Sequence, residues 1–313
     1  MASSTTRKSS SAARLGLVLL SVGAGVALIA AEQDGVVRRT VYVTAFDASG
    51  APLPDLAAAD LTVKEGGLAA DVLRVEPLRS RLKVALVVEE ALTPDNSVRQ
   101  ALAGFVDGVH EAGEIALYVV GRRHERRVDY TSDIMPFVRA INAFPSRSTA
   151  DGNLVEALYE IAKDQRPLEG RRVVVALATE RSQAGTLSAD GVFEQLRGGS
   201  GVFYAATLAS FDSNTGPSEA TSGGRRLSLE NQATGLERDR LFTAGTRDSG
   251  GLHLSVVRLE GFPGALNRIV GDLRNQYVVS YTMPAGQKAD GRMSIIGKRQ
   301  GITVRGPSRV AQN

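Results

Sequence analysis

Glu89, Glu90 and Glu180 are the residues whose type and position suit chemistry. Glu89-Glu90 closes the apolar run Val84-Ala85-Leu86-Val87-Val88, and Glu180 follows a second run, Val173 to Ala178. An apolar run of this length, cut off by a polar break and followed by a helical pattern, reads as a parallel strand buried on both faces. Open α/β sheets take their ligands outside the carboxyl ends of such strands. Carboxylates brought there by adjacent strands have the chemistry of a general acid and base. No oxyanion or substrate signature accompanies them, so a hydrolase using Glu89, Glu90 and Glu180 is the lesser reading.

Other chemistry-bearing residues are less well arranged. His110, His124 and His253 fall on different elements without a His-x-x-x-His pair, and read as solvated surface histidines. Ser182 and Ser188 lack a Gly-x-Ser-x-Gly context. Gly198-Gly199-Ser200-Gly201 lies between a helix and a strand, the reverse of the order a phosphate loop needs, and reads as a turn. Arg122-Arg123-His124-Glu125-Arg126-Arg127 sits at a predicted edge hairpin. It could face an acidic partner, but a solvated turn whose charges discourage edge-to-edge pairing is preferred.

The elements that position these residues alternate between strand and helix, the signature of a doubly wound, mostly parallel α/β sheet. After Val84 to Val88 come a helix over 97–112 and a buried strand at 115–120. A more polar, antiparallel edge strand at 126–130 and helices over 134–144 and 154–162 follow. The strand at 173–178 leads to a helix over 187–196 and a strand at 202–207. A short helix over 236–244, a strand at 252–256 and a helix over 262–273 complete the order. Residues 209–233 are rich in Ser, Gly, Thr and Asn and read as a mobile loop.

Ahead of this domain, alternation at 40–44, 61–63 and 72–75 marks a small β unit. Three short strands bury little alone. The strand-like segments 276–282, 292–296 and 302–304 are candidates to complete the unit, with the α/β domain inserted between its halves. The division is then 1–31, a signal peptide or anchor; 32–79, the N-terminal β unit; 80–275, the α/β domain; and 276–313, the C-terminal strands.

Composition narrows the partners. The chain has no cysteine, which excludes disulfides, thiolate metal sites and a Cys nucleophile. Its basic character comes from the start: taking Arg7, Lys8 and Arg14 from the 37 basic residues leaves 34, equal to the 34 acidic ones. A balanced chain gives no reason to expect nucleic acid. Residues 1–14 are Ser-rich and basic, and 15–31 (LGLVLLSVGAGVALIAA) are apolar, with small residues before Glu32. This is the pattern of a secretory signal. The expectation is a periplasmic, extracellular or envelope-associated protein, touching membrane only through 15–31 if that segment is uncleaved.

Two stretches carry a family resemblance. The first is Val43-x-x-Phe46-Asp47-x-x-Gly50-x-Pro52-Leu53-x-Asp55-Leu56-x-x-x-Asp60-Leu61-x-Val63-x-Glu65-Gly66-Gly67. The second is Leu273-Arg274-Asn275-Gln276-Tyr277-Val278-Val279-Ser280-Tyr281, with Asp290-Gly291 and Val304-Arg305 after it. In order and spacing these resemble the von Willebrand factor type A fold, and within it the VWFA-related family typical of Acidobacteria.

The resemblance implies a non-enzymatic domain that binds another macromolecule, commonly through a metal-ion-dependent adhesion site. Such a site holds a hard divalent cation, magnesium or manganese, with oxygen ligands. Its Asp-x-Ser-x-Ser motif falls on Glu89, Ala91 and Thr93. Its loop Thr falls on Gly152, with Thr149 three positions early, and its later Asp falls on Glu180, beside Arg181. Two hydroxyl ligands are thereby lost and two carboxylates lengthened, so the expectation is a degenerate site and metal-independent binding of an unidentified protein or envelope partner. Glu89, Thr93 and Glu180 are the candidate ligands if a relaxed site persists. Otherwise they are polar loop residues, with Thr93 or Asp95 capping the next helix.

Overall fold

A computed structural model describes residues 36–147, 152–180, 187–198, 200–209, 235–284 and 290–311. The leader, Thr149, Arg181, Ser182 and nearly all of the 209–233 segment lie outside the described residues.

The α/β part is built on strands β4 (Leu82–Glu89), β5 (Gly113–Val120), β6 (His124–Thr131), β7 (Arg171–Thr179), β8 (Val202–Leu208) and β9 (His253–Val256). They form one sheet in the order β6-β5-β4-β7-β8-β9. Every pairing is parallel except β5 with β6. The chain thus starts in the middle at β4, winds outward to β6, and returns across to β7, β8 and β9. This is a doubly wound α/β fold, and its reversal lies between β4 and β7.

Strand β4 shows why the run is continuously apolar. Val84, Leu86 and Val88 pack into the core on one face, against α1 (Asn96–Val109), α2 (Met135–Asn142) and α6 (Phe262–Arg274). Ala85 and Val87 pack into the core on the other, against α3 (Leu154–Gln165) and α4 (Ala189–Gly198). Side chains alternate across a strand, so covering both faces requires an apolar residue at every position. Full burial of each Val or Leu contributes about 1.5–3 kcal/mol.

A second, antiparallel sheet runs β11-β2-β3-β10-β1-β12. Its strands are β1 (Val36–Phe46), β2 (Leu61–Glu65), β3 (Leu68–Pro77), β10 (Gln276–Pro284), β11 (Met293–Gly297) and β12 (Thr303–Arg305). Strands β1 and β3 are longer than the sequence pattern indicated. β1 pairs with β10 from Val36 opposite Pro284 to Thr44 opposite Gln276. That partner supplies the backbone bonds for a stretch, Val36 to Arg39, which shows little strand character in isolation. Val41, Val43, Val63, Val279 and Tyr281 form the core on one face.

Between β8 and β9 the structure describes a helical stretch at 235–240, a π-helical turn at Leu241–Gly245 and α5 (Thr246–Ser249). Leu241 and Phe242 of that turn pack into the α3 and α4 side of the core. This anchors residues 235–240 over the carboxyl edge of the sheet, which the next residues make functionally important.

Candidate functional site at the sheet reversal

Glu89 ends β4 and Thr179 ends β7, so both stand at the carboxyl edge on either side of the reversal. Glu89 is only 3% exposed. Its Oε2 accepts hydrogen bonds from the Thr179 backbone N–H at 2.6 Å and from the Thr179 hydroxyl at 3.0 Å. Its Oε1 accepts from Nη2 of Arg238 at 2.5 Å, and both side chains are almost wholly buried.

Arg238 is held in turn by the Thr179 carbonyl, which accepts from Nε at 3.0 Å and from Nη2 at 2.5 Å. Its guanidinium lies 5.4 Å from the centre of the Phe242 ring. The carboxylate's charge is therefore balanced by a cation from the protein itself. A buried pair of this kind is sustained only when its remaining hydrogen-bonding capacity is also met, and Thr179 meets it on both partners.

The other predicted ligands turn elsewhere. Thr93 is fully buried, and its hydroxyl donates to the Glu90 carbonyl at 2.8 Å. Asp95, rather than Thr93, caps α1: it accepts from the backbone N–H groups of Ser97 at 2.8 Å and Val98 at 3.4 Å. Glu180 is exposed and accepts from Thr207 at 3.1 Å and Ser255 at 2.8 Å. Gly152 stands so close to the β5–β6 turn that a Cβ there would lie 2.1 Å from the Gly121 carbonyl oxygen. A hydroxyl side chain does not fit at that position.

The donor set therefore does not fit a divalent cation. Such an ion needs several oxygens converging on one point. Glu89 is committed to Arg238 and Thr179, while Thr93 and Glu180 bond to different partners. No group of three or more His, Asp or Glu side chains among the described residues is placed to hold a metal.

His253 departs from the solvated role expected of it. It is half-buried, its Nε2 lies 2.8 Å from the Thr207 hydroxyl, and its ring stacks on Phe242 at 5.5 Å between centres. Burial holds its pKa below the ordinary histidine value, with Glu180 opposing that shift. Thr207, His253, Ser255 and Glu180 thus form a polar cluster beside the buried pair. Arg238, Thr179, Thr207 and Ser255 were not visible as site residues in the sequence. Arg238 is separated from Glu89 by 149 positions and carries no motif of its own.

A doubly wound α/β sheet with a polar, charge-balanced constellation at its reversal point defines the class of this protein. No protein-family model and no curated protein matches the chain. Solved structures similar to it include an aerotolerance-related membrane protein from Bacteroides fragilis, at 13% identity and a TM-score of 0.41, covering 60% of this chain and 98% of that one. BatB from Bacteroides thetaiotaomicron is similar at 11% identity and a TM-score of 0.42, covering 61% and 97%. A von Willebrand factor type A protein from Catenulispora acidiphila is similar at 9% identity and a TM-score of 0.43, covering 88% and 74%.

Proposed function

We propose that this chain is an exported, non-enzymatic protein-binding module of the von Willebrand factor type A kind. In this reading it engages a protein or cell-envelope partner through the carboxyl edge of its parallel sheet, without a divalent cation. The observation that carries the reading is the Arg238–Glu89 pair: the carboxylate that the family resemblance aligns with the first metal ligand is already neutralised, and a cation would have to displace a buried guanidinium. The same pairing counts against an acid–base enzyme, because Glu89 has its acceptor capacity committed to fixed donors. The basic leader and apolar segment at 1–31 support export.

The test combines calorimetry and capture. Titration of the full chain with magnesium or manganese is expected to give no saturable heat. A pulldown from envelope extract is expected to retain the same partner with and without chelator. A stoichiometric cation site of micromolar affinity that disappears in Glu89→Ala would overturn the metal-independent reading.

A further inference from the structure

A cavity of about 350 Å³ opens at the opposite, amino-terminal edge of the parallel sheet, in the seam between the two sheets. Six arginines line it: Arg38, Arg39, Arg171, Arg172, Arg197 and Arg309. Asp248 is the one carboxylate among the described lining residues. It already accepts from Ser308 at 2.7 Å and lies 3.6 Å from Arg309. Arg39 pairs with Glu65. Among the described residues, Arg38, Arg171, Arg172 and Arg197 have no carboxylate partner.

Arg171 is the most unusual of these. It is 4% exposed and begins β7, and its guanidinium lies 3.9 Å from the centre of the Tyr42 ring. Its Nε donates to Gln276 at 3.2 Å and its Nη1 donates to the Ser200 carbonyl. Burial pushes it down to about 10, which leaves it charged at neutral pH. A buried cation facing only neutral partners is costly unless an anion can approach it. Two further donors support this: Nε of Arg39 and Nε of Arg172 are buried and make no hydrogen bond among the described residues. Tyr42, Phe193 and Leu196 give the same cavity an apolar wall.

We propose that this seam cavity binds a small organic anion: a carboxylate or phosphate headgroup seated among the arginines, with an apolar or aromatic body against Phe193 and Leu196. Guanidinium groups recognise both headgroups through paired N–H donors. The lining includes residues of β1, β10, β7, α4, α5 and the 307–311 segment, so a bound anion would bridge the two sheets. This site is distinct from the carboxyl-edge surface proposed above and does not depend on it.

The probe is 8-anilinonaphthalene-1-sulfonate, an anion with an aromatic body, titrated into the full chain and followed by its fluorescence. One saturable site per chain is expected. The double variant Arg38→Gln/Arg197→Gln removes two charges that make no ion pair among the described residues, and is expected to weaken binding about tenfold. Arg127→Gln, on the distant edge strand, is expected to leave binding unchanged. Inorganic phosphate and acetate compete in separate titrations, and the stronger competitor identifies the headgroup.

Binding that does not saturate overturns the proposal. So does equal affinity of the double variant and the native chain, or of the neutral analogue N-phenyl-1-naphthylamine and the anion. Failure of both competitors also overturns it, and that measurement needs no variant to fold.

Discussion

Arg238 sets the character of the carboxyl edge. Removing a buried partner leaves the other charge uncompensated, which costs far more than the pair contributes net. Arg238→Met should therefore destabilise the chain by about 3–5 kcal/mol, measured by urea denaturation. Arg238→Met combined with Glu89→Gln should recover most of that loss, because no orphaned charge remains. A single-variant cost under about 1 kcal/mol would mean that water reaches Glu89 and that the pair is not the buried unit described here. The extra methylene of glutamate over aspartate has a structural use: the carboxylate reaches across to the N–H of the neighbouring strand's last residue.

At the scale of elements, Gly152 shows how packing decides what a loop can carry. The residue precedes the Asn153 cap of α3, whose side chain accepts from the Glu156 N–H at 3.2 Å. It also lies directly against the Gly121 carbonyl of the β5–β6 turn. Gly152→Thr, which would supply the hydroxyl that the type A resemblance aligns there, should lower stability by about 1–3 kcal/mol through overpacking. Differential scanning calorimetry with added magnesium should show no compensating stabilisation. A variant as stable as the native chain would mean that the loop can retreat from the turn. Most helices and parallel strands were readable within a few residues, because burial on two faces leaves a continuous apolar record. The extra length of β1 depends on β10 and β12, contributed from the other end of the chain, and that of β3 on β10 and on its hairpin partner β2.

Across the whole molecule, a chain of buried polar contacts joins the two sheets. Arg171 on β7 bonds Gln276 on β10, and the Gln276 side-chain N–H donates to the Tyr204 hydroxyl on β8 at 3.1 Å. That hydroxyl donates to Asp272 on α6 at 2.6 Å, and Arg305 on β12 pairs with the same carboxylate. Full burial, together with the proximity of Asp272, raises the Tyr204 pKa well above the usual phenol range. Tyr204→Phe removes both bonds and leaves Gln276 and Asp272 each short of one, so it should cost about 1–3 kcal/mol. The denaturant slope should stay unchanged, because the same surface is exposed on unfolding. An unaltered midpoint would show that the Tyr204 bonds contribute nothing to the junction of the two sheets.

The sequence by itself determined the doubly wound sheet, since the alternation of two-sided apolar strands with one-sided helices has few other solutions. It also located the carboxyl edge, where Glu89 ends its strand. Only the tertiary structure decided what Glu89 meets there. Arg238 reaches Glu89 from a segment far along the chain, and Arg171 is buried at the opposite edge with no carboxylate partner among the described residues. Both outcomes depend on which side chains from distant segments share a desolvated space. Periodicity records how each segment faces the core, and it carries no information about which charges meet there.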